Sequence, residues 1–446
     1  MDLVRTIKQT LFRPVDIAFL VYFRIATGVL IMLEFSFYLM KLKEFGRTDV
    51  YFSYLFFEWI RPWPLEGLYL HILLIAVLGF SLAVGFYYRI TTILLFLAQV
   101  TLFLMEKSVY QSHHYLYWLV SFLLIFLPAH RAFSYDASRN PSIRLGQAAA
   151  WVWYLLLFQI SVVYVYAGVA KLYSDWITGR PMVIWMYYKA NYPIIGPLLG
   201  AEWFPYVASI AALVVDLTVV PLMLFTRTRA YGFVMALLFH LANVAVFGLG
   251  TFPWFAIVMT SLFFSPSWPR KLFGKSLPAL QVSTGAIRRS RWALPLLSMY
   301  VLVQLMLPLR HRLYPLSTAW TDEGDHFSWR MLIRDKAGNL VYLIKDQDDR
   351  LIATDQGERL NYYQNYILKG DPDMILQYAH YLAEQYQDSL KRKVKIYVES
   401  EISLNGWRNQ PMVDPTVDLA QEKRTLGHYK WILPWKPVSP LMSTTQ

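Results

Sequence analysis

The sequence predicts an all-α membrane bundle of eight or nine transmembrane helices, residues 1–309, followed by a small β-rich α+β domain, residues 310–446, outside the membrane. Three observations carry that reading. Charged residues are 16% of the 446-residue chain and apolar residues 56%, where an ordinary globular protein has about 25% charged residues. Apolar runs approaching the ~20 residues needed to cross a ~30 Å hydrocarbon core recur through the first two thirds of the chain. Beyond about residue 310 the chain turns polar and is broken by turn signals.

The apolar runs fall at 16–40, 67–88, 90–105, 110–128, 147–170, 204–226, 231–248, 250–266 and 293–309. Two runs within 90–128 are short. Gly248-Leu249-Gly250-Thr251-Phe252-Pro253 marks either a tight hairpin or a broken helix, because Gly and Pro there interrupt the apolar pattern. The first run follows a basic N-terminus (Arg5, Lys8, Arg13) but contains Arg24 and Glu34 and has no small-residue cleavage site. It therefore reads as a retained span and not a signal peptide.

The net charge of +12 sits in short loops between apolar runs. That distribution is a topology signal, and no nucleic-acid partner is expected from it. With nine spans and a cytoplasmic N-terminus, the inner segments hold fifteen Lys and Arg, including Lys275, Arg288, Arg289 and Arg291, against eight in the short outer loops, including Arg47. The positive-inside rule selects this orientation, and it places residues 310–446 on the extracytoplasmic side. The chain has no cysteine, which excludes disulfides, thiolate zinc sites, Fe–S clusters and cysteine nucleophiles. No HExxH or carboxylate–histidine cluster is apparent, so no metal is expected.

In the outer domain, Val341–Ile344 and Leu351–Thr354 flank a charged stretch as a hairpin. Val394–Leu404 reads as a strand running into Asn405-Gly406, a strong two-residue turn signal. Between them Asp371–Gln387 has helical spacing opened by Asp-Pro.

Ionisable groups in or at the ends of spans are the candidates for chemistry, because lipid makes them costly. Lys171 ends the fifth run, with Tyr164 and Gly168 at i−7 and i−3 on its own face. It is either a snorkelling anchor or a functional amine, and Gly168 on that face would leave room for a flat ring. His113-His114 opens the fourth run before Tyr115 and Tyr117, as an interfacial aromatic belt or part of a site. His240 lies mid-run, with Asn243 and Phe247 on its face, as a hydrogen-bonded core histidine or a functional one. Arg24 and Glu34 are nearly three turns apart, so each must find its partner on another span.

Several segments resemble the vitamin K-dependent γ-glutamyl carboxylase family. In the membrane region they are Phe23-Arg24 with Gly28, Arg61-Pro62-x-Pro64, Tyr88-Arg89, His113-x-Tyr115-Leu116-Tyr117, Ala167-Gly168-Val169-Ala170-Lys171-Leu172 with Asp175-Trp176, His240-x-x-Asn243, and Ser265-Pro266-x-Trp268-Pro269. Later come Trp320-Thr321, Phe327-Ser328-Trp329, Asp373-Met374 with Gln377-Tyr378-Ala379, and Asp414-Pro415-x-Val417-Asp418. Their common order runs from about residue 14 to 435.

The resemblance implies a membrane enzyme that oxidises vitamin K hydroquinone, as reduced menaquinone or phylloquinone, to its epoxide with O2. The strong base so formed would carboxylate glutamate with CO2. It assigns Lys171 as the base that deprotonates the hydroquinone, which requires a neutral amine, and places His113 and His240 beside the quinol. By the same resemblance Asn243 lines the quinol pocket with His240, Ser112 stands where the family has an asparagine beside the quinol, helical spacing adds Tyr164 and Gly168 to that pocket, and His311 and Trp320 belong to the region that binds a glutamate-containing peptide or protein. The expected partners are thus the lipid bilayer, a quinol and such a peptide. Two other readings stand beside it: a quinol oxygenase that carboxylates nothing, and a transporter or receptor whose intramembrane polar groups line a solute path.

The orientation has a direct check. A tag placed after Gln446 is expected to be accessible from outside intact cells or from the organelle lumen, and exclusive cytoplasmic accessibility would refute the loop-charge argument.

Overall fold

A computed structural model describes residues 2–45, 49–273, 277–278 and 294–436. Arg47, Lys275, Arg288, Arg289 and Arg291 of the loop-charge argument, and Gln446, lie outside the described residues. An amphipathic helix α1 (Asp2–Phe12) precedes α2 (Ala18–Phe45), α3 (Leu65–Val84), α4 (Tyr88–Met105), α5 (Ser112–Phe126), α6 (Ala150–Ala170), α7 (Phe204–Leu224), α8 (Arg229–Phe247), α9 (Phe252–Ser261) and α10 (Leu294–Met306). Nine apolar runs thus give nine helical segments, α2 to α10. Six of them, α2, α3, α4, α6, α7 and α8, are long and apolar enough to cross a membrane. The others have 15, 10 and 13 residues; at ~1.5 Å per residue they fall short of a ~30 Å core. The Gly-Pro stretch is a tight hairpin, because Gly248 and Gly250 both adopt positive φ between α8 and α9.

Close backbone packing fixes the first two spans. A Cβ on Gly28 would meet Gly79 O at 2.6 Å, and one on Gly79 would meet Met32 N at 2.9 Å. This small-residue contact lets α2 and α3 touch along their backbones. Strand β1 (Pro14–Asp16) pairs antiparallel with β2 (Gln147–Ala149) and ties the start of α2 to the start of α6. Arg24, fully buried, donates to the carbonyls of Ala129 and Phe133. Glu34 bonds to α5 and to Thr251, so both charges of the first span find partners elsewhere.

Outside the bundle, β3 (Lys336–Lys345), β4 (Leu351–Asp355) and β5 (Lys395–Leu404) form one antiparallel sheet in the order β4-β3-β5. Asn405 and Gly406 both take positive φ, and Trp407 N donates to Leu404 O at 3.0 Å, as the turn signal requires. Among the described residues the chain beyond returns through single bridges, Ile402 to Gln410 and Val413 to Ile432, so regular strand in the outer domain is confined there to this sheet. Helix α11 (Tyr362–Leu368) has a capping box at Asn361 and Gln364. Helix α12 (Pro372–Leu390), capped by Asp371, buries Met374, Tyr378 and Leu382 against the sheet.

The loop after α2 belongs to the outer domain's core through Val50 and Phe52. Nearby, Lys107 bonds Asp371 and Asp373 at 2.9 Å each, and Arg424 bonds Asp373 at 2.7 Å and Ser53 O at 2.8 Å. On the other flank Asp175 accepts from Asn405 Nδ2 at 2.9 Å and Trp407 Nε1 at 3.1 Å. The outer domain is therefore clamped on two sides and roofs one end of the bundle.

Glu106 sits in the first clamp and accepts from Ser108 N and Gln364 Nε2. Burial pushes its pKa up from an ordinary 4.5 to about 7. The folded protein therefore holds a proton that the unfolded chain loses, and this contribution to stability is full below about 4.5 and disappears as pH rises through about 7. Between those values the unaltered protein is expected to lose thermal stability relative to Glu106→Gln in detergent. Parallel pH curves for the two proteins would contradict the burial argument.

Candidate active site

An apolar cavity opens beside the end of α6. The segment after α6, which the sequence offered only as a loop, packs Trp176, Met182 and Met186 in a small core with Ala170 and Ala212. Trp176, Met182 and Trp185 thereby become cavity wall, opposite Phe239, Phe247 and Phe252. Four titratable side chains reach this space: Tyr164, Lys171, Asp216 and His240.

Lys171 follows the last residue of α6, and its side chain folds back along the helix. Its Nζ donates to Asp216 Oδ2 of α7 at 2.6 Å and to Ala167 O at 3.3 Å, and lies 5.3 Å from the centre of the Trp176 ring. Lys171 is 5% and Asp216 4% exposed. The lysine therefore belongs to a buried ion pair, with a partner that the sequence did not reveal. Gly168 has a different place from the one expected. A Cβ there would meet Leu217 Cδ2 at 2.7 Å and Asp216 Cβ at 3.2 Å, so its missing side chain admits α7 rather than a ligand ring.

Tyr164 OH lies 2.8 Å from His240 Nε2 and 2.9 Å from Thr260 Oγ1. Thr260 spends its own proton on Ala256 O at 2.7 Å. Tyr164 must therefore donate to Thr260 and accept from His240 Nε2–H, which assigns the tautomer from the network. His240 Nδ1 is left as a buried acceptor with no hydrogen-bond partner among the described residues. Such an orphan acceptor is costly without a ligand.

Beyond Phe252 lies a second, polar chamber with an empty volume of about 2360 Å³ between bundle and outer domain. Leu249, Phe252, Met331 and Leu332 line both spaces, and the Phe252 ring is 6.0 Å from His113 and 6.2 Å from His240. In the chamber Glu34 Oε1 accepts from Nε2 of His113 at 3.1 Å and of His114 at 3.0 Å, while Oε2 accepts from Thr251 Oγ1 at 2.7 Å. A Glu34 carboxylate can only accept, so both rings donate to it from Nε2–H. These three residues also place ligand atoms within 4.8 Å of one another, a group the sequence did not reveal.

Several of the chamber's cations are paired within this chain. Arg334 bonds Asp325 at 2.9 Å and Asp322 at 2.8 Å; Lys336 bonds Asp322 at 2.8 Å; Lys107 bonds Asp371. Burial pushes Lys336 below the usual lysine range, opposed by Asp322, and pushes His326 down to about 4, so that imidazole is neutral.

Of the residues singled out in the sequence, Tyr164, Lys171, His240 and Asn243 line the apolar cavity, whereas Ser112 and His113 line the chamber. Trp320 is a fully buried core residue of the outer domain whose Nε1 donates to Leu433 O. His311 Nδ1–H donates to Pro308 O at 2.8 Å, and the residue lines neither space. Sequence reasoning missed Asp216 and Thr251. The first carried a usable signal, a lone acid in the middle of an apolar run.

Fold and site together define a multi-pass membrane protein whose helical bundle holds a lipophilic cavity under an outer domain. The description "HTTM domain" matches residues 12–268, and "Vitamin K-dependent gamma-carboxylase, lumenal domain" matches residues 289–437. The chain belongs to the vitamin K-dependent γ-carboxylase family. No solved structure matches it.

Filling the cavity tests its role as a ligand space. Ala212, on its wall, is 7% exposed, and overpacking a buried site costs about 1–3 kcal/mol, or about 5- to 150-fold in affinity. Ala212→Phe is expected to weaken quenching of Trp176 and Trp185 fluorescence by a methylnaphthoquinone to that degree. Undiminished quenching would place the ligand elsewhere.

Proposed function

We propose that this protein oxidises vitamin K hydroquinone with O2 to the epoxide in the apolar cavity, and that the strong base so produced carboxylates glutamate presented from the polar chamber. The observation that carries the reading is the shared wall: one lipophilic space holding Lys171 adjoins one polar space holding His113, with Phe252 between them. Reduced menaquinone or phylloquinone would lie among Trp185, Phe239 and Phe247, with one hydroxyl at Lys171 and the other at His240 Nδ1. Tyr164 orients that imidazole. The cavity's dry lining protects a strong base from water, and Asn243 supplies a second polar contact. His113, held by Glu34, stands at the chamber side, where a developing oxyanion or a glutamate side chain would arrive. O2 and CO2 are the other co-substrates. The reading places the N-terminus in the cytoplasm and the outer domain in the periplasm, cell exterior or organelle lumen.

One observation favours a second reading, hydroquinone epoxidation without carboxylation. Arg334, Lys336 and Lys107 are each paired with Asp side chains of this chain, so an incoming glutamate carboxylate must compete for them.

Purified protein incubated with reduced vitamin K and labelled CO2 separates the two readings when epoxide and fixed label are assayed independently. Lys171→Ala is expected to abolish both products. His113→Ala and His240→Ala are expected to lower epoxide formation by about 100-fold, the scale of a lost acid–base or hydrogen-bonding group, without loss of folding. Epoxide without fixed label would select the second reading. Normal epoxide formation in Lys171→Ala would refute both.

A further inference from the structure

We propose that Asp216 is the destination of the hydroquinone proton and that Lys171 relays it; the inference rests on the apolar cavity being the quinol site. An ammonium has no lone pair. A lysine 2.6 Å from a carboxylate inside an apolar wall must give up a proton before it can accept one. The base within reach is Asp216 Oδ2; Ala167 O, at 3.3 Å, accepts a hydrogen bond but cannot hold the proton. No second carboxylate lines the cavity among the described residues.

The step balances. An Nζ–H bond of Lys171 breaks and an O–H bond forms on Asp216. The hydroquinone O–H breaks, and its proton takes the lone pair thus opened on Lys171. The products are a neutral Asp216 acid, an unchanged Lys171 ammonium and a hydroquinone monoanion lying against that ammonium. No electron moves between groups. The charge of the site sums to zero before and after, which matters because an uncompensated charge in a membrane interior is costly. A lone neutral lysine would instead begin with Asp216 as an unpaired buried anion. The relay also explains the close approach at Gly168, where any side chain would push α7, and Asp216 with it, away from α6. Arginine at 171 could pair with Asp216 but could not release a proton, so Lys171→Arg should bind the hydroquinone and fail to deprotonate it.

The test uses the full-length protein in detergent, mixed without oxygen with a 2-methylnaphthohydroquinone. Tryptophan quenching reports binding, monoanion absorbance reports deprotonation, and infrared difference spectra with carbon-13-labelled aspartate report the carboxyl. In the unaltered protein the monoanion band should appear together with an isotope-shifted protonated-carboxyl C=O band. Asp216→Asn should still quench within about threefold while the monoanion band and epoxide yield fall by about 100-fold or more. Asp216→Glu, which keeps the carboxylate, should recover at least a tenth of the loss. A wild-type monoanion band in Asp216→Asn, or a monoanion band in the unaltered protein with no new carboxyl band, would overturn the proposal and leave Lys171 as sole base. Failure of the unaltered protein to quench at all would instead refute the quinol cavity itself.

Discussion

A buried ion pair between two membrane helices, Lys171 on α6 with Asp216 on α7, constrains everything around it. Neither charge is tolerable alone in a lipid-embedded bundle. Each therefore fixes the other's helix, and Gly168 supplies the close contact they need. The same rule governs the other intramembrane charges. Arg24 is spent on backbone carbonyls at the end of α5, and Glu34 on two histidines and a threonine. These are the points where helices too short or too polar to be held by lipid alone are held by one another.

The second organising feature is the division of the site by Phe252. On one side the wall is apolar and its polar atoms are few; on the other, acids and bases are dense and many are paired with one another. A reaction that creates a strong base needs the first environment, and a charged substrate needs the second. The outer domain builds the chamber by being clamped at Lys107 and at Asp175, and its Met331 and Leu332 also close the cavity. Cavity geometry and domain docking are thus one structural problem. Titration of Glu106 at the first clamp bears on both.

Much of the fold was legible because lipid imposes a simple rule on sequence: each of the nine apolar runs became a helix, and the Asn405-Gly406 turn and the Asp371 cap obey local chemistry. Lengths were less legible, since α5 and α9 have 15 and 10 residues where their apolar runs are longer. Helical spacing put Tyr164 with Lys171 and Asn243 with His240, and all four line one cavity. Spacing could not show that Gly168 faces α7, that Lys171 is paired, or that His113 belongs to a separate chamber. Those facts depend on contacts between residues far apart in the chain, such as Lys171 with Asp216 and Glu34 with Thr251. Trp320 and His311 show the converse, since their motif context marked them for substrate while their contacts are those of domain architecture.

The central claim is that the cavity beside Lys171 receives the quinone ring. A photoreactive 2-methylnaphthoquinone, activated in membranes containing the protein and mapped by mass spectrometry, tests it most directly. The account predicts adducts in peptides carrying Met182, Trp185, Phe239 and Phe247, lost when excess unlabelled vitamin K competes. Competable adducts confined to chamber residues such as Tyr363 and Tyr366, with none on the cavity wall, would contradict it.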